Sequence, residues 1–244
     1  MSFEFILKIP TTNLQLSTDD LQGMNVNMAS FRSEPILWIH LAGLATLPIF
    51  LFLCVLFLSI GEPVLPVWME LFLVAAIGVL PLLWMQLSRP FYIFAILGIA
   101  LKPENLTEEQ RKMLCLINTN LNRFLAVLAA ILLVGVLWQI YQITPLVANI
   151  ASFLPQWRSV GLLLAALAFL ASNLFLQIPV SVARLLVTND TEFAAIKPLP
   201  LEKIQQDFTI VGVRVNQILP QLFHSLWGRK KSTEPPQAEN SDEG

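Results

Sequence analysis

The sequence predicts an all-α polytopic membrane protein with four transmembrane helices, short interfacial helices and a disordered C-terminal tail. The composition of the 244-residue chain indicates this class, because 55% of its residues are hydrophobic, only 13% are charged and the mean hydropathy is +0.66. Soluble domains carry about 25% charged residues, so an ordinary soluble domain is excluded. The net charge of −2 also argues against a nucleic-acid-binding protein, which needs a basic face.

Four apolar stretches are long enough to cross a bilayer. They cover about residues 36–60, 64–87, 124–144 and 160–187, and a helix needs about 20 residues to cross a hydrocarbon core of ~30 Å. None of the four shows the strict alternation of a barrel strand. Because lipid offers no partner for free backbone groups, each stretch is predicted to form a helix.

The distribution of lysine and arginine predicts the orientation. Fourteen of the 15 basic residues lie before the first span, between the second and third spans, or from Arg184 onwards. The segments between the first and second spans and between the third and fourth spans contain a single basic residue, Arg158. Since positively charged segments stay on the cytoplasmic side, both termini and the middle loop are predicted to be cytoplasmic or stromal.

The segments between the spans give weaker signals. Residues 91–101 are apolar but too short to span, so they either extend the second helix past a kink at Pro90 or lie in the interface. A short helix is predicted from about Thr107, and residues 147–157 are expected in the far interface. Residues 208–227 fit an amphipathic surface helix, although their start would also suit a short strand.

These signals divide the chain into four parts. Residues 1–27 form a polar N-terminal arm, which is either a mobile arm or lies upstream of a true start at Met28. Residues 28–187 form the four-helix membrane domain, and residues 188–227 form a cytoplasmic or interfacial segment. Residues 228–244 are predicted to be a disordered, low-complexity tail.

His40 lies four residues into the first predicted span. Polar groups within a bilayer often mark function, although His40 is close enough to the helix start to reach the interface. One interpretation is therefore an interfacial histidine. The other is an axial ligand to the metal of a tetrapyrrole, which needs an imidazole facing a flat apolar slot.

Glu70, Asn173 and Gln177 are the other polar candidates within the spans. Glu70 is predicted to make a structural or partner contact, because a proton relay would want further carboxylates or histidines at depth. A contact of this kind predicts that Glu70→Gln is mild. Asn173 and Gln177 are predicted to bond between helices, whereas a transport site would want a second broken helix to match the one at Pro179.

Enzymatic activity has no support in the sequence. The patterns GxxxxGK[ST], HExxH and GxSxG are missing from the chain. Cys54 lies in the first span and Cys115 in the basic middle loop, so no disulfide is expected. We therefore predict a non-enzyme that carries no catalytic residue, no metal and no established cofactor.

Several segments carry a family resemblance that covers roughly residues 28–220. They are residues 30–43 (SFRSEPILWIHLAG), 89–94 (RPFYIF), 154–177 (from LPQWR to ASNLFLQ), 206–209 (QDFT) and 214–220 (RVNQILP). Through them the chain resembles the cyanobacterial family called "low-complexity tail membrane protein". The resemblance implies a cyanobacterial thylakoid or plasma membrane. It supplies no functional residue, and only through the host does it suggest a link to photosystem biogenesis.

The leading hypothesis for function is a non-enzymatic membrane scaffold or accessory protein. It would bind another membrane complex, with photosynthetic complexes as candidates, through helices whose small residues allow close approach. The alternative is a permease for a small solute or ion that works as an oligomer and uses Glu70 and Asn173. A pigment-binding role through His40 is the third hypothesis.

Overall fold

A computed structural model describes residues 31–96, 98–152 and 157–217. It confirms four helices long and apolar enough to cross a membrane: span 1, Pro35–Leu58; span 2, Val67–Ser88; span 3, Asn120–Ala151; and span 4, Arg158–Val187. The predictions for residues 1–27 and for the tail from residue 228 lie outside the described residues. The fold class predicted from composition and span length is therefore confirmed.

Span 1 consists of helix α1 (Pro35–Ala42), a 3₁₀ turn (Gly43–Thr46) and helix α2 (Leu47–Leu58). Spans 2, 3 and 4 are helices α3 (Val67–Ser88), α5 (Asn120–Ala151) and α6 (Arg158–Val187). The shorter helices are α4 (Glu108–Ile117), α7 (Asp190–Ala195) and α8 (Leu201–Asp207). A second 3₁₀ turn (Pro103–Asn105) and three short strands complete the described elements: β1 (Ala95–Ile96), β2 (Ile99–Leu101) and β3 (Val213–Val215).

The two ends of the bundle are distinguished by contacts between span ends. Arg32, just before span 1, donates to the carbonyls of Leu186 and Thr188 at the end of span 4. We call this end the N/C side. Arg158, at the start of span 4, donates to Leu58 at the end of span 1. We call that end the opposite side. The start of span 1 and the end of span 4 thus share one side.

Span 4 is the central helix of the bundle. It packs against each of the other three spans, and the fully buried Ala165, Ala166 and Phe169 lie in its core-facing stripe. The outer surface is apolar, with exposed residues such as Phe72, Trp84 and Ile131. An apolar exterior around a packed interior is what a bilayer requires.

The end of span 3 was predicted wrongly at residue 144, because the helix continues through Pro145 to Ala151. Proline removes the N–H that would bond to the carbonyl four residues earlier, here that of Tyr141. The Thr144 hydroxyl donates to this carbonyl at 2.7 Å, so the helix continues without an orphaned acceptor. In span 1, Pro48 has no N–H to donate to the Leu44 carbonyl. This carbonyl instead accepts from the Leu47 N–H within the 3₁₀ turn.

Residues 91–101 do not extend the second helix, which was one of the two predictions for them. They enter a hairpin in which β1 pairs antiparallel with β2 around Gly98, whose φ is 85°. Pro90 ends the helical pattern, and the β-branched and aromatic residues that follow favour strands. The pairing with β3, more than 100 residues later, could not be seen in this segment alone.

The predicted surface helix from Phe208 is wrong over its described part. Thr209 forms a bridge to Phe91, and β3 pairs parallel with β2, so that Ile99 faces Val213. The suggestion of a strand in this region was correct in type, but the strand begins at Val213 rather than at Phe208. Residues 218–227 lie outside the described part of the chain.

The short helix predicted near Thr107 is confirmed as α4. The Thr107 side chain accepts from the Gln110 N–H while the Gln110 side chain accepts from the Thr107 N–H, which forms a capping box. α4, the hairpin and the C-terminal segment enclose a second core that contains Tyr92, Phe94 and Met113. Burial raises the pKa of the Tyr92 phenol, whose hydroxyl donates to the Leu101 carbonyl at 3.0 Å.

Candidate functional site

The candidate site is a buried ion pair on the opposite side of the bundle. Glu70 lies in the first turn of span 2 and is 0% exposed, and Arg158 begins span 4 with 7% of its side chain exposed. The Arg158 Nε donates to Glu70 Oε1 at 3.0 Å, and Nη2 donates to Oε2. This two-pronged contact is the strongest geometry available to an arginine and a carboxylate.

The same arginine also holds the end of span 1. Its Nη1 donates to the carbonyls of Leu58 at 2.6 Å and Ile60 at 3.0 Å. The last carbonyls of a helix have no partner within the helix, and a cation there also interacts favourably with the helix dipole. Ser59, at the end of span 1, connects this span to span 3, because its hydroxyl donates to the Thr144 carbonyl at 3.0 Å. All four spans are therefore joined within a few residues on the opposite side.

Gly161 brings Arg158 into reach of span 1. A Cβ at Gly161 would lie 2.8 Å from the Phe57 carbonyl oxygen and 2.9 Å from Ile60 Cβ. Both contacts are closer than carbon and oxygen atoms tolerate, so only glycine lets spans 1 and 4 approach this far. Arg158 lies one turn before Gly161 on span 4, which places the guanidinium beside the end of span 1.

The chemistry open to this site is limited by its bonds. Arginine has five N–H donors, of which four are used here, and both carboxylate oxygens accept from Arg158. An open cleft of about 460 Å³ lies beside the pair and is lined in part by Tyr141, Gln142 and Thr144. The cleft reaches the arginine, but the charges on Glu70 and Arg158 already neutralise each other. The geometry is that of a fixed link between helices.

Asn173 and Gln177 form a second polar group inside the bundle. Asn173 Nδ2 donates to the Gly78 carbonyl of span 2 at 3.0 Å, and Gln177 Nε2 donates to Asn173 Oδ1 at 2.9 Å. Gly78 lies against Phe169, whose Cδ1 would be 2.4 Å from a Cβ at that position. Asn173 thus bonds span 4 to span 2, whereas the Gln177 amide donates within span 4 and supports Asn173.

His40 is bonded to the polypeptide through one of its two ring nitrogens. Its Nε2 donates to the Ile93 carbonyl at 2.7 Å, and its ring meets Phe91 edge-on. A tetrapyrrole metal would have to bind through Nδ1 while this bond persists. In the described part of the chain, no three His, Cys, Asp or Glu residues come close enough to hold a metal ion. Cys54 and Cys115 are both free thiols.

Two more arginines stabilise helix ends on the N/C side. Arg184 donates to the Leu116 carbonyl at 2.6 Å, at the end of α4, and to the Thr119 hydroxyl at 2.7 Å. Arg32 caps the end of span 4 and pairs with Asp190 at 2.8 Å. Each of the three arginines thus donates to carbonyls at the end of a helix in another element: Arg32, Arg158 and Arg184. A charge count that predicts orientation does not reveal this role.

The pairing of Glu70 with Arg158 was missed from the sequence, although a signal for it exists. Arg158 is the one basic residue on its side of the membrane and was used only for the charge count. Spans 2 and 4 both begin on that side. Because Glu70 and Arg158 each lie near the start of their span, they lie at similar depth. A lone acid and a lone base at one depth are natural partners, because an unpaired charge near hydrocarbon is costly.

The fold and this site define a class: a four-span helical membrane protein whose spans are joined by a buried ion pair. The comparison with known families then gives a particular assignment. The chain matches the model of the family described as "Low-complexity tail membrane protein-like" over residues 33–220. The protein belongs to this family, as its resemblance had implied. No curated protein and no solved structure matches the chain.

Proposed function

We propose that the protein is a non-enzymatic accessory protein that binds another membrane complex. The observation that carries this proposal is the fixed link at Arg158, which engages spans 1, 2 and 4 through four hydrogen bonds. A transported ion or proton needs a charged group that can change partners. A carboxylate held by two bonds to a buried arginine is instead suited to keeping a bundle in one shape.

The contact surface that we propose lies on the small sheet of the N/C side. Ile99 and Val213 face each other across β2 and β3 and are 44% and 71% exposed. Paired residues on neighbouring strands lie on the same face of a sheet. Two exposed aliphatic side chains on a subdomain fixed to a membrane bundle support docking against the surface of a neighbouring membrane protein.

The partner and the membrane are the finer part of the proposal. The family resemblance makes a photosynthetic complex of a cyanobacterial thylakoid or plasma membrane the first candidate. The charge distribution supports placing the N/C side, and with it the sheet, in the cytoplasm or stroma. A partner that exposes an apolar patch on that side of the membrane would fit Ile99 and Val213.

The test is to isolate the tagged chain from its native membranes in mild detergent and to quantify the proteins that accompany it. We expect the subunits of one membrane complex in fixed stoichiometry. Val213→Lys should lower their yield severalfold, because it places a charge in the proposed contact. Leu201→Lys is the matched control, since Leu201 is 37% exposed on the same subdomain and lies on α8 rather than on the sheet.

Three outcomes would overturn the proposal. One is a chain that carries no other membrane protein in fixed stoichiometry. A second is purified protein that passes ions or small solutes in liposomes, with equal loss of transport in Glu70→Gln and Glu70→Leu at normal levels of folded protein, as the permease hypothesis requires. The third is a stoichiometric pigment in the visible spectrum that is lost in His40→Leu, as the pigment hypothesis requires.

A further inference from the structure

The outer face of span 3 contains a cleft that opens to the lipid. The cleft has a volume of about 560 Å³ and is lined by Leu132, Gly135, Val136, Gln139, Ile140 and Ile143. Leu132 and Ile143 are 61% and 46% exposed. A Cβ at Gly135 would meet no atom within 4 Å, so the space beside this glycine is open. The other glycine close approaches on the spans, at Gly43, Gly78 and Gly161, are already filled by neighbouring helices.

The side chain of Gln139 is exposed on this face and makes no hydrogen bond within the described part of the chain. The amides of Asn173 and Gln177, by contrast, lie inside the bundle and bond there. An amide that faces hydrocarbon without a partner is costly, because nothing there replaces the water that it loses. Gln139 is therefore an unusual residue for the outer face of a membrane-spanning helix.

The depth of Gln139 prevents an easy escape to water. It lies 16 residues from Arg123 on the N/C side, which is about 24 Å along the helix, and 5 residues before Thr144, about 8 Å. Thr144 is at the level of Ser59, where span 1 ends. Side chains on a helix tilt toward its N-terminus, which for span 3 is the N/C side. The amide of Gln139 thus points away from the nearer interface and toward the middle of the bilayer.

We propose that this face of span 3 binds the same face of a second copy of the chain. A glutamine amide both donates and accepts, so two Gln139 side chains related by a two-fold axis can exchange two hydrogen bonds. Gly135 lies one turn away on the same face and lets the two helices approach closely. A different partner would have to supply a matching amide and a small residue at the right spacing, whereas a second copy supplies both by symmetry. This pairing does not depend on the proposed docking function.

The test uses the full chain, purified and reconstituted in liposomes at a series of protein-to-lipid ratios. Counting labelled chains by stepwise photobleaching should show dimers whose fraction falls as lipid is added. Gln139→Leu should weaken dimerisation by roughly tenfold, from the loss of two interhelical hydrogen bonds. Gln139→Asn, which keeps the amide, should retain part of the affinity. Gly135→Ile fills the open space beside the helix and should also weaken the dimer, without changing thermal stability in detergent.

Disulfide crosslinking locates the contact. In a chain whose Cys54 and Cys115 are replaced by alanine, Val136→Cys should crosslink to its copy under mild oxidation. Leu80→Cys is the matched control, since Leu80 is 60% exposed on the outer face of span 2. Monomers at every lipid ratio, unchanged dimerisation in Gln139→Leu, or equal crosslinking at the two positions would each refute the proposal.

Discussion

Replacing one member of the Glu70–Arg158 pair should destabilise the bundle far more than replacing both. Glu70→Gln leaves a guanidinium that cannot lose its proton inside a site where 7% of its surface is exposed. Arg158→Leu leaves a carboxylate that is 0% exposed, and it also removes the donors to the Leu58 and Ile60 carbonyls. The mild effect of Glu70→Gln that the sequence alone suggests is therefore not what the structure predicts.

The magnitudes follow from the burial of both charges. Breaking a buried pair by removing one partner costs about 3–5 kcal/mol, whereas replacing both partners by apolar residues is often close to neutral. The two carbonyls that lose their donor add about 1 kcal/mol each. We therefore expect a cost of about 3–5 kcal/mol for Glu70→Gln or Glu70→Leu, about 5–7 kcal/mol for Arg158→Leu, and about 2 kcal/mol for Glu70→Leu/Arg158→Leu. The coupling energy should be roughly 6 kcal/mol or more.

The assay is reversible unfolding by SDS in mixed micelles, followed by tryptophan fluorescence and circular dichroism. Glu62→Gln is the matched control, because Glu62 is an exposed carboxylate on the same side of the bundle and should change stability by less than about 0.5 kcal/mol. Additive effects of Glu70→Leu and Arg158→Leu in the double variant would refute the reasoning. So would a mild Glu70→Gln, because it would mean that Arg158 does not depend on the carboxylate.

Four further predictions concern helix packing, strand pairing, the Tyr92 phenol and the orientation that the charge distribution indicates. Gly161→Ala should cost about 1–3 kcal/mol by overpacking in the same SDS assay, whereas Gly135→Ala, beside open space in mid-helix, should cause no loss of stability. Gly212→Ala should detach β3 and speed its cleavage by protease, because φ is 113° and a Cβ would lie 2.0 Å from the Gly98 oxygen. Burial raises the pKa of Tyr92, so its contribution to stability is present below pH ~10 and declines at higher pH, and Tyr92→Phe should remove this decline in an alkaline titration. A C-terminal tag should be digested in sealed vesicles only when the cytoplasmic face is outside, and digestion from the other face would contradict the predicted orientation.

The four spans could be predicted from the sequence because lipid makes their composition and length decisive. The end of span 3 could not, since Pro145 is a common stop signal and its effect is cancelled by the Thr144 hydroxyl. The sheet could not be predicted either, because the partner of β2 lies more than 100 residues away at β3. For the site, Glu70 was identified as unusual, but its partner was treated as a topological marker. The ion pair could have been predicted from the similar depth of Glu70 and Arg158 on the same side of the membrane.

The pairing of β2 with β3 has a consequence for biosynthesis. Ala100 and Arg214, which face each other across these strands, bracket the whole of spans 3 and 4 in the chain. β2 therefore leaves the ribosome well before its neighbour exists, and Phe94 and Tyr92 have no complete core to enter until then. The sheet can close only after the last helix has been made and its end has returned to the same side. Closure of this small sheet therefore requires that spans 3 and 4 have both been made, and a chain stalled after span 3 leaves the apolar hairpin without its third strand.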